Sequence, residues 1–335
     1  MELNVTGMDA AVVGGDIRAA GQVSALLAGG ARVTVVAAEL TASLEDLAHR
    51  GLLAWLRDPG PHDLTAYDLV LRVRPTATDH EPGARTGSVT LVGGGPGDPG
   101  LLTVAGRAAI ESADVIVTDR LAPIAALGWA RPGVQVVDVA KIPGGRSTSQ
   151  DEINRLLVEH ATSGRHVVRL KGGDSFVFGR GGEELLACHD AGIRTRVVPG
   201  VTSAIAAPAL AGIPVTHRGL TQGFTVVSGH VPPGHPESTL DYAALARSGS
   251  TLVVLMGVRT LGAICAALTS AGLDPATPAA VVADGALPSQ QVVRATLDTI
   301  DAAATAVGIG APAVAVIGSV VDIPGLDGPD QEELA

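Results

Sequence analysis

An α/β protein with mainly parallel sheets is what this 335-residue sequence predicts. Short runs rich in Val, Ile and Leu alternate with Ala/Leu-rich helical stretches almost throughout, the pattern of strands joined by crossover helices. Apolar residues make up 46% of the chain and aromatics only 2%, so Ala, Val, Leu and Ile must fill the core. The length exceeds what one ordinary core supports, so two or three domains are expected.

The runs "AAVVGG", "ARVTVVAA" and "YDLVLRV" read as strands of a first unit over 1–75, with helices near 17–29 and 42–50. The polar, Pro/Gly-containing stretch "RPTATDHEPGARTG" places a linker over 76–87. A second series starts at Ser88: "SVTLVGG", "DVIVTD", "VQVVDVA", "HVVRLKG" and "RTRVVPG", the last ended by Pro199-Gly200. These make one lobe, 88–200. "FTVVSGH", "TLVVLMG", "AAVVAD" and "PAVAVIGSVV" make another, 201–323, before a polar tail over 324–335.

No run of about eighteen apolar residues occurs, so no membrane span is expected. The start has an acid at Glu2 and no basic stretch, unlike a secretory signal. Cys188 and Cys265 are the two cysteines, with no His/Cys cluster at metal spacing. They read as small core residues in a reducing cytoplasm, and no metal is expected.

A net charge of −11 argues against nucleic acid as a partner. The distribution is uneven: residues 141–220 hold ten Lys/Arg and seven acids, a basic middle in an acidic chain. Such a window suits a cleft for an acidic substrate, and equally suits scattered surface charge.

Two glycine turns invite a dinucleotide reading. "GPGDPG", Gly95–Gly100, fits G-x-G-x-x-G, with Asp119 about twenty residues on. Yet Pro96 and Pro99 lack N–H donors and Asp98 adds a negative charge. A pyrophosphate would lose donors and gain repulsion there, so the loop suits a neutral or cationic ligand lying close to backbone. The second, "VVGGDIRAAG", falls in Rossmann order ahead of Glu39. There Asp16 occupies the position where a glycine would approach the pyrophosphate. NAD is therefore not expected, and the first unit reads as a packed α/β appendage.

Four stretches in order, "LVGGGPGDPGLLT", "VVRLKGGDSFVFGRGGEE", "VVPGVTSAIAAPALAGIPVTHRG" and "TLVVLMG", resemble the tetrapyrrole methylase family, in its uroporphyrinogen III branch. The resemblance covers about 88–322. The first 75 residues resemble the opening of the precorrin-2 dehydrogenase/ferrochelatase module that siroheme synthases carry ahead of this methylase. The dimerisation region of that module and its strand bearing a catalytic aspartate have no counterpart before Ser88.

The resemblance implies two α/β lobes with an S-adenosylmethionine cleft between them, behind a truncated Rossmann-like unit. It implies methylation of uroporphyrinogen III on rings A and B to precorrin-2, S-adenosylhomocysteine as by-product, and a homodimer. A cofactor bearing a sulfonium and no phosphate suits the proline-interrupted loop. Pro96, Gly172, Gly173, Asp174, Val177, Thr202, Ser203, Met256 and Gly285 match cofactor-contacting positions. Asp119 matches the proton acceptor and Lys141 the proton donor, with Arg180 a further candidate for proton handling. Arg180, Glu183 and Arg218 match positions facing the tetrapyrrole, whose eight carboxylates call for guanidinium groups.

Taken singly these residues read otherwise: Gly172-Gly173 as a tight turn, Met256 as core, Asp119 as a helix cap, Lys141 as a solvated loop charge. Arg180, Glu183 and Arg218 read as helix-start or surface charges. Three positions depart from the family pattern: Ser175 for proline, Thr118 for tyrosine and Ala140 for glycine. The first is expected to loosen the cofactor loop and the others to alter pocket shape. Alternatives are a methylase of a later corrin intermediate, a bifunctional enzyme retaining NAD-dependent precorrin-2 oxidation, and an N-terminal unit serving only docking or dimerisation.

Overall fold

The computed structural model describes the chain except residues 1–4, 16–18, 20–21, 24–25, 28, 41, 50, 58–63, 74–86, 120, 140–147 and 327–335. The residues form two compact units, Met1–Gly83 and Ala84–Ala335.

In the first unit β1 (Asp9–Val13), β2 (Arg32–Val36), β3 (Ala54–Leu56) and β4 (Leu69–Arg72) form a parallel sheet ordered β3-β2-β1-β4. The three-residue β3 is too short for the sequence pattern to show. Helix α1 (Ala42–His49) falls where expected. The helix expected over 17–29 lies partly outside the described residues; Ala19, Val23 and Leu26 are helical and buried against the sheet. Their spacing puts them on one helix face.

In the second unit the runs after Ser88 become β5 (Ser88–Gly93), β6 (Val115–Thr118), β7 (Gln135–Asp138), β8 (His166–Lys171) and β9 (Arg194–Val198). They pair in the order β7-β6-β8-β5-β9, all parallel. Burial on both faces explains the near-continuous apolar runs of β5, β6 and β8. Helices α2 (Val104–Ser112), α3 (Gln150–Thr162) and α4 (Gly181–Asp190) connect them. Ser149 starts α3 by accepting the Glu152 N–H at 3.2 Å, and Thr103 caps α2 on Gly106 at 3.1 Å.

The other sheet is the exception to the mainly parallel pairing that the sequence predicts. It comprises β10 (Phe224–Ser228), β11 (Thr251–Leu255), β12 (Pro278–Ala283), β13 (Gln291–Thr296) and β14 (Ala313–Ile317), ordered β10-β11-β14-β12-β13. Only β10 and β11 are parallel; β14 runs against both neighbours and β13 against β12. The connection 284–290 is too short for a parallel crossover, which needs a dozen residues or more. The sequence "QVVRAT" of β13, polar at both ends, was not expected to be a strand. Helices α5 (Ser203–Leu210), α6 (Tyr242–Arg247), α7 (Leu261–Ser270) and α8 (Ile300–Ala306) complete this lobe. Its two core clusters consist mainly of Ala, Val, Leu and Ile, as the aromatic-poor composition requires.

Cys188 and Cys265 are buried, and burial pushes both thiols up to about 11, which leaves them unreactive. Among the described residues no helix is long and apolar enough to cross a membrane.

At the start of β5 and β8, the Ser88 hydroxyl and His166 Nδ1 lie 2.9 Å apart. Burial holds His166 below the ordinary 6.5, with Arg131 and Arg196 opposing the pull of Asp114. The unfolded chain therefore takes up this proton first as the pH falls. The stability it confers is complete above about pH 6.5 and is lost as the pH drops through the folded-state value. Urea unfolding across pH 5–8 is expected to show this slope, and His166→Gln to flatten it.

Candidate functional site

Parallel α/β sheets present ligand-facing groups at the carboxyl ends of their strands. Here β5 ends in Gly93, β8 runs on into Gly172-Gly173 and β9 is followed by Pro199-Gly200, and the three ends meet. A Cβ on Gly93 would lie 2.6 Å from the Gly200 nitrogen and 2.8 Å from the Gly173 oxygen. A Cβ on Gly200 would lie 2.3 Å from that same oxygen. Gly95 and Gly173 exchange backbone hydrogen bonds, with N···O distances of 3.1 and 2.6 Å, so the two loops form a miniature ladder. Gly173 has a φ of +64°, a conformation open to glycine at little cost.

Asp174 locks this junction. One carboxylate oxygen accepts the Gly200 N–H at 2.9 Å and the other accepts the Phe176 N–H at 2.9 Å. A carboxylate expected to meet a ligand is thus already engaged by backbone, though each oxygen retains a lone pair. Asp98 behaves alike: it accepts the Gly100 N–H at 2.7 Å and caps a short turn. Ser175, expected to loosen the loop, keeps its hydroxyl buried with no hydrogen-bond partner among the described residues. It is fully buried and its carbonyl accepts the Gly181 N–H at 3.0 Å, with Gly179 and Gly181 pressed against it. Thr118 is buried at the end of β6, directly before Asp119.

The loop carrying Asp119 packs onto the same glycines. A Cβ on Gly172 would strike the Leu121 carbonyl at 2.5 Å, and one on Gly94 would strike Pro123 at 2.4 Å. Asp119 accepts the Leu121 N–H at 3.2 Å and pairs with Arg169 Nη2 at 3.0 Å. Arg169 also donates through Nε to Glu184 at 3.0 Å, and Lys171 donates to the same oxygen at 2.8 Å. The Arg169, Lys171 and Glu184 side chains are 3%, 6% and 0% exposed. This buried network was missed in the sequence. Its signal was two cations spaced i, i+2 inside an apolar strand, "VVRLKGG", followed by a second glutamate in "GGEE".

The basic window is therefore not a bank of free cations. Besides Arg169 and Lys171, Arg155 pairs with Glu152 and Glu159, and Arg180 with Glu183 at 2.7 Å. The Arg180–Glu183 pair is half exposed, and such pairs are weak and exchangeable. Arg180 and Phe178 sit at φ +57° and +54° before α4, backbone strain of the kind that gathers at functional sites. Arg218 is exposed in the loop after α5; no described contact joins it to Arg180. Lys141 and Ala140 lie outside the described residues.

The other lobe closes on this edge. Thr202 caps α5 through the Ala204 N–H at 3.3 Å, and Ser203 Oγ stands 4.0 Å from where a Gly173 Cβ would be. Val177 packs on the core that holds Ala204 and Ala207. A Cβ on Gly285 would lie 2.5 Å from the Ala207 Cβ, and one on Gly97 would lie 2.8 Å from Leu287. Pro96 is thus held between Gly95, tied to Gly173, and Gly97, against Leu287. Met256 is 52% exposed at φ +58°, beyond β11 on the edge where β12 ends. The structure gathers Pro96, Gly172, Gly173, Asp174, Val177, Thr202, Ser203 and Gly285, with Met256 farther along the rim. Among the described residues no cluster of His, Cys, Asp and Glu could hold a metal.

In the first unit a Cβ on Gly15 would come within 1.9 Å of the Glu39 carbonyl, so the turn after β1 is packed on the end of β2. Asp16 lies outside the described residues.

Two lobes around glycine-lined strand ends define an α/β enzyme of small-molecule group transfer. The chain belongs to the tetrapyrrole (corrin/porphyrin) methylases, whose family model matches residues 88–301. Residues 1–81 match a putative NAD(P)-binding family. The uroporphyrinogen-III C-methyltransferase of Bacillus subtilis is 47% identical over 238 residues, 71% of this chain and 49% of that protein. This chain thus spans about half the length of that relative. The S-adenosyl-L-methionine-dependent uroporphyrinogen III methyltransferase of Methanosarcina barkeri is 47% identical over 71% of this chain and 93% of its own length. A crystal structure of uroporphyrin-III C-methyltransferase from Thermus thermophilus complexed with S-adenosylhomocysteine superposes with a TM-score of 0.60. It is 42% identical and covers 70% of this chain and 99% of that one.

If Asp174 locks the junction, Asp174→Ala frees the Gly200 and Phe176 amides. The expected loss is roughly 1–3 kcal/mol, with faster hydrogen exchange confined to the ends of β8 and β9, read by mass spectrometry.

Proposed function

We propose that the chain methylates uroporphyrinogen III on rings A and B, giving precorrin-2 and S-adenosylhomocysteine. The observation that carries this reading is the convergence of the β5, β8 and β9 glycines beside Asp119, within a chain of the tetrapyrrole methylase family.

The residues fit the cofactor. Gly93, Gly172 and Gly200 let the strand ends and the Asp119 loop pack backbone to backbone, and Gly173, with nothing nearer than 3.8 Å, leaves bare backbone beside Ser203. Asp98 is turned into its own loop, and the proline-interrupted turn offers few N–H donors, so no phosphate is called for. Pro96, Gly172, Gly173, Asp174 and Val177 would hold the cofactor from one lobe, and Thr202, Ser203, Met256 and Gly285 from the other. S-adenosylmethionine, when bound, supplies a methyl group already activated on a sulfonium. The protein is left with alignment and charge.

Asp119, oriented by the Leu121 amide and Arg169, would take the proton that a ring carbon loses on methylation. Lys141 is assigned as proton donor on the resemblance. Arg180 can exchange Glu183 for a substrate carboxylate, because their pair is exposed. Arg218, exposed on a neighbouring loop, would take another. The domain division that accompanies this reading is a Rossmann-like unit over 1–75, a linker, lobes over 88–200 and 201–323, and a tail. A homodimer in the cytoplasm is part of the same reading.

Mass spectrometry of uroporphyrinogen III incubated with S-adenosylmethionine and this protein is expected to show a gain of two methyl groups. No gain beside an active control overturns the assignment. Asp119→Asn is expected to lower kcat by about 100-fold or more while calorimetry shows S-adenosylhomocysteine still binding.

The family match over residues 1–81 favours one second reading, dinucleotide binding by the first unit. Sirohydrochlorin formed from precorrin-2 and NAD would establish it. Its absence leaves that unit a docking or dimer-supporting module, which sedimentation of a chain lacking residues 1–83 would test.

A further inference from the structure

Glu184 belongs to neither the cofactor set nor the substrate set, yet it gathers two buried cations beneath the site. It lies in the first turn of α4, fully buried. Its Oε1 accepts from Arg169 Nε at 3.0 Å, Lys171 Nζ at 2.8 Å and Gln150 Nε2 at 3.4 Å. Its Oε2 is buried with no hydrogen-bond partner among the described residues. A buried carboxylate costs several kcal/mol in lost hydration and persists only when its charge is matched.

The matching cations lead to two adjoining loops at the end of one sheet. Arg169 reaches past Glu184 to Asp119 at 3.0 Å. Lys171 is the last residue of β8, and its carbonyl accepts the Gly94 N–H at 2.7 Å at the root of the glycine junction. Neither cation is open to a substrate carboxylate. One anion thus fixes two limbs of the site.

We propose that Glu184 is a positioning residue for methyl transfer, holding Arg169 against Asp119 and Lys171 beneath the glycine turn. This rests on the reading of Asp119 as proton acceptor. The cluster balances two cations, Arg169 and Lys171, against two carboxylates, Asp119 and Glu184. Its charged surroundings are Arg180 and Glu183 on α4 and Asp151 on α3, with Gln150 and the Cys188 thiol as further polar neighbours. Burial holds Lys171 below the ordinary lysine value, Arg169 adds repulsion, and Glu184 and Asp119 oppose both. The Asp119 charge thus reaches Lys171 as well as Arg169.

Opposite charge changes must then shift proton transfer in opposite directions. Glu184→Gln leaves two buried cations facing Asp119 with one anion fewer. The acidic limb of the pH–rate profile is expected to move to lower pH and kcat to fall on the order of tenfold, part of what a general base contributes. The KM for S-adenosylmethionine is expected to stay within about threefold, since no cofactor contact is removed. Lys171→Met removes a cation, and the limb is expected to move to higher pH. A merely structural role lowers the melting temperature of both variants without moving the limb; that outcome, or shifts of the same sign, overturns the proposal. Should Glu184→Gln fail to fold, Lys171→Met carries the test alone, an upward shift supporting it and no shift overturning it. If the wild-type protein adds no methyl groups, the reading of the site has failed instead, which the same mass spectra reveal.

Discussion

The site depends on backbone-to-backbone contact among three strand ends. Gly93, Gly173 and Gly200 approach so closely that a single methyl group at Gly93 or Gly200 would overlap a neighbouring backbone atom. Everything functional is placed relative to that contact. Asp174 ties two of the ends together, the Gly95–Gly173 pairing hangs the proline loop from them, and Leu121 and Pro123 seat the Asp119 loop on the adjoining glycines. The chain removes side chains where backbone must meet backbone and uses polar groups to fix loops.

Charge follows a second logic. The middle of the sequence is basic, but its cations are largely committed: two lie in the interior with Glu184 and Asp119, and others pair along helix surfaces. Among the described cations of that window, Arg180, in an exchangeable pair with Glu183, and the exposed Arg194, Arg196 and Arg218 face outward. A polycarboxylate would then be held by a few exchangeable guanidinium groups, while the interior charges govern the geometry of proton transfer. The division follows from solvation: exposed pairs trade partners at little cost, and buried ones do not.

Much of this was legible in the sequence. The apolar runs of β5, β6 and β8 announced themselves because both faces of a parallel sheet are covered. The glycines at 93–95, 172–173 and 200 marked the turns that follow. Strand direction in the second sheet was not legible, because an apolar run such as that of β14 carries no sign of its orientation. β13 escaped notice because its edge position allows polar residues. The role of Arg169 and Lys171 was hidden by counting charge over a window: a sum cannot tell a buried cation from a solvated one. Asp174 was read as a ligand contact because its two amide partners lie on backbone, one of them 26 residues away.

Met256, Asp284 and Ala286 all hold left-handed backbone without being glycine. Each such residue forgoes on the order of 1 kcal/mol that glycine would recover. A search for thermally hardier variants would accordingly be drawn to glycine at these three places. At Met256, whose side chain stands half uncovered and is proposed to face the cofactor, the gain would come at the cost of that contact. Selection for heat tolerance and selection for turnover would thus pull this position in contrary directions.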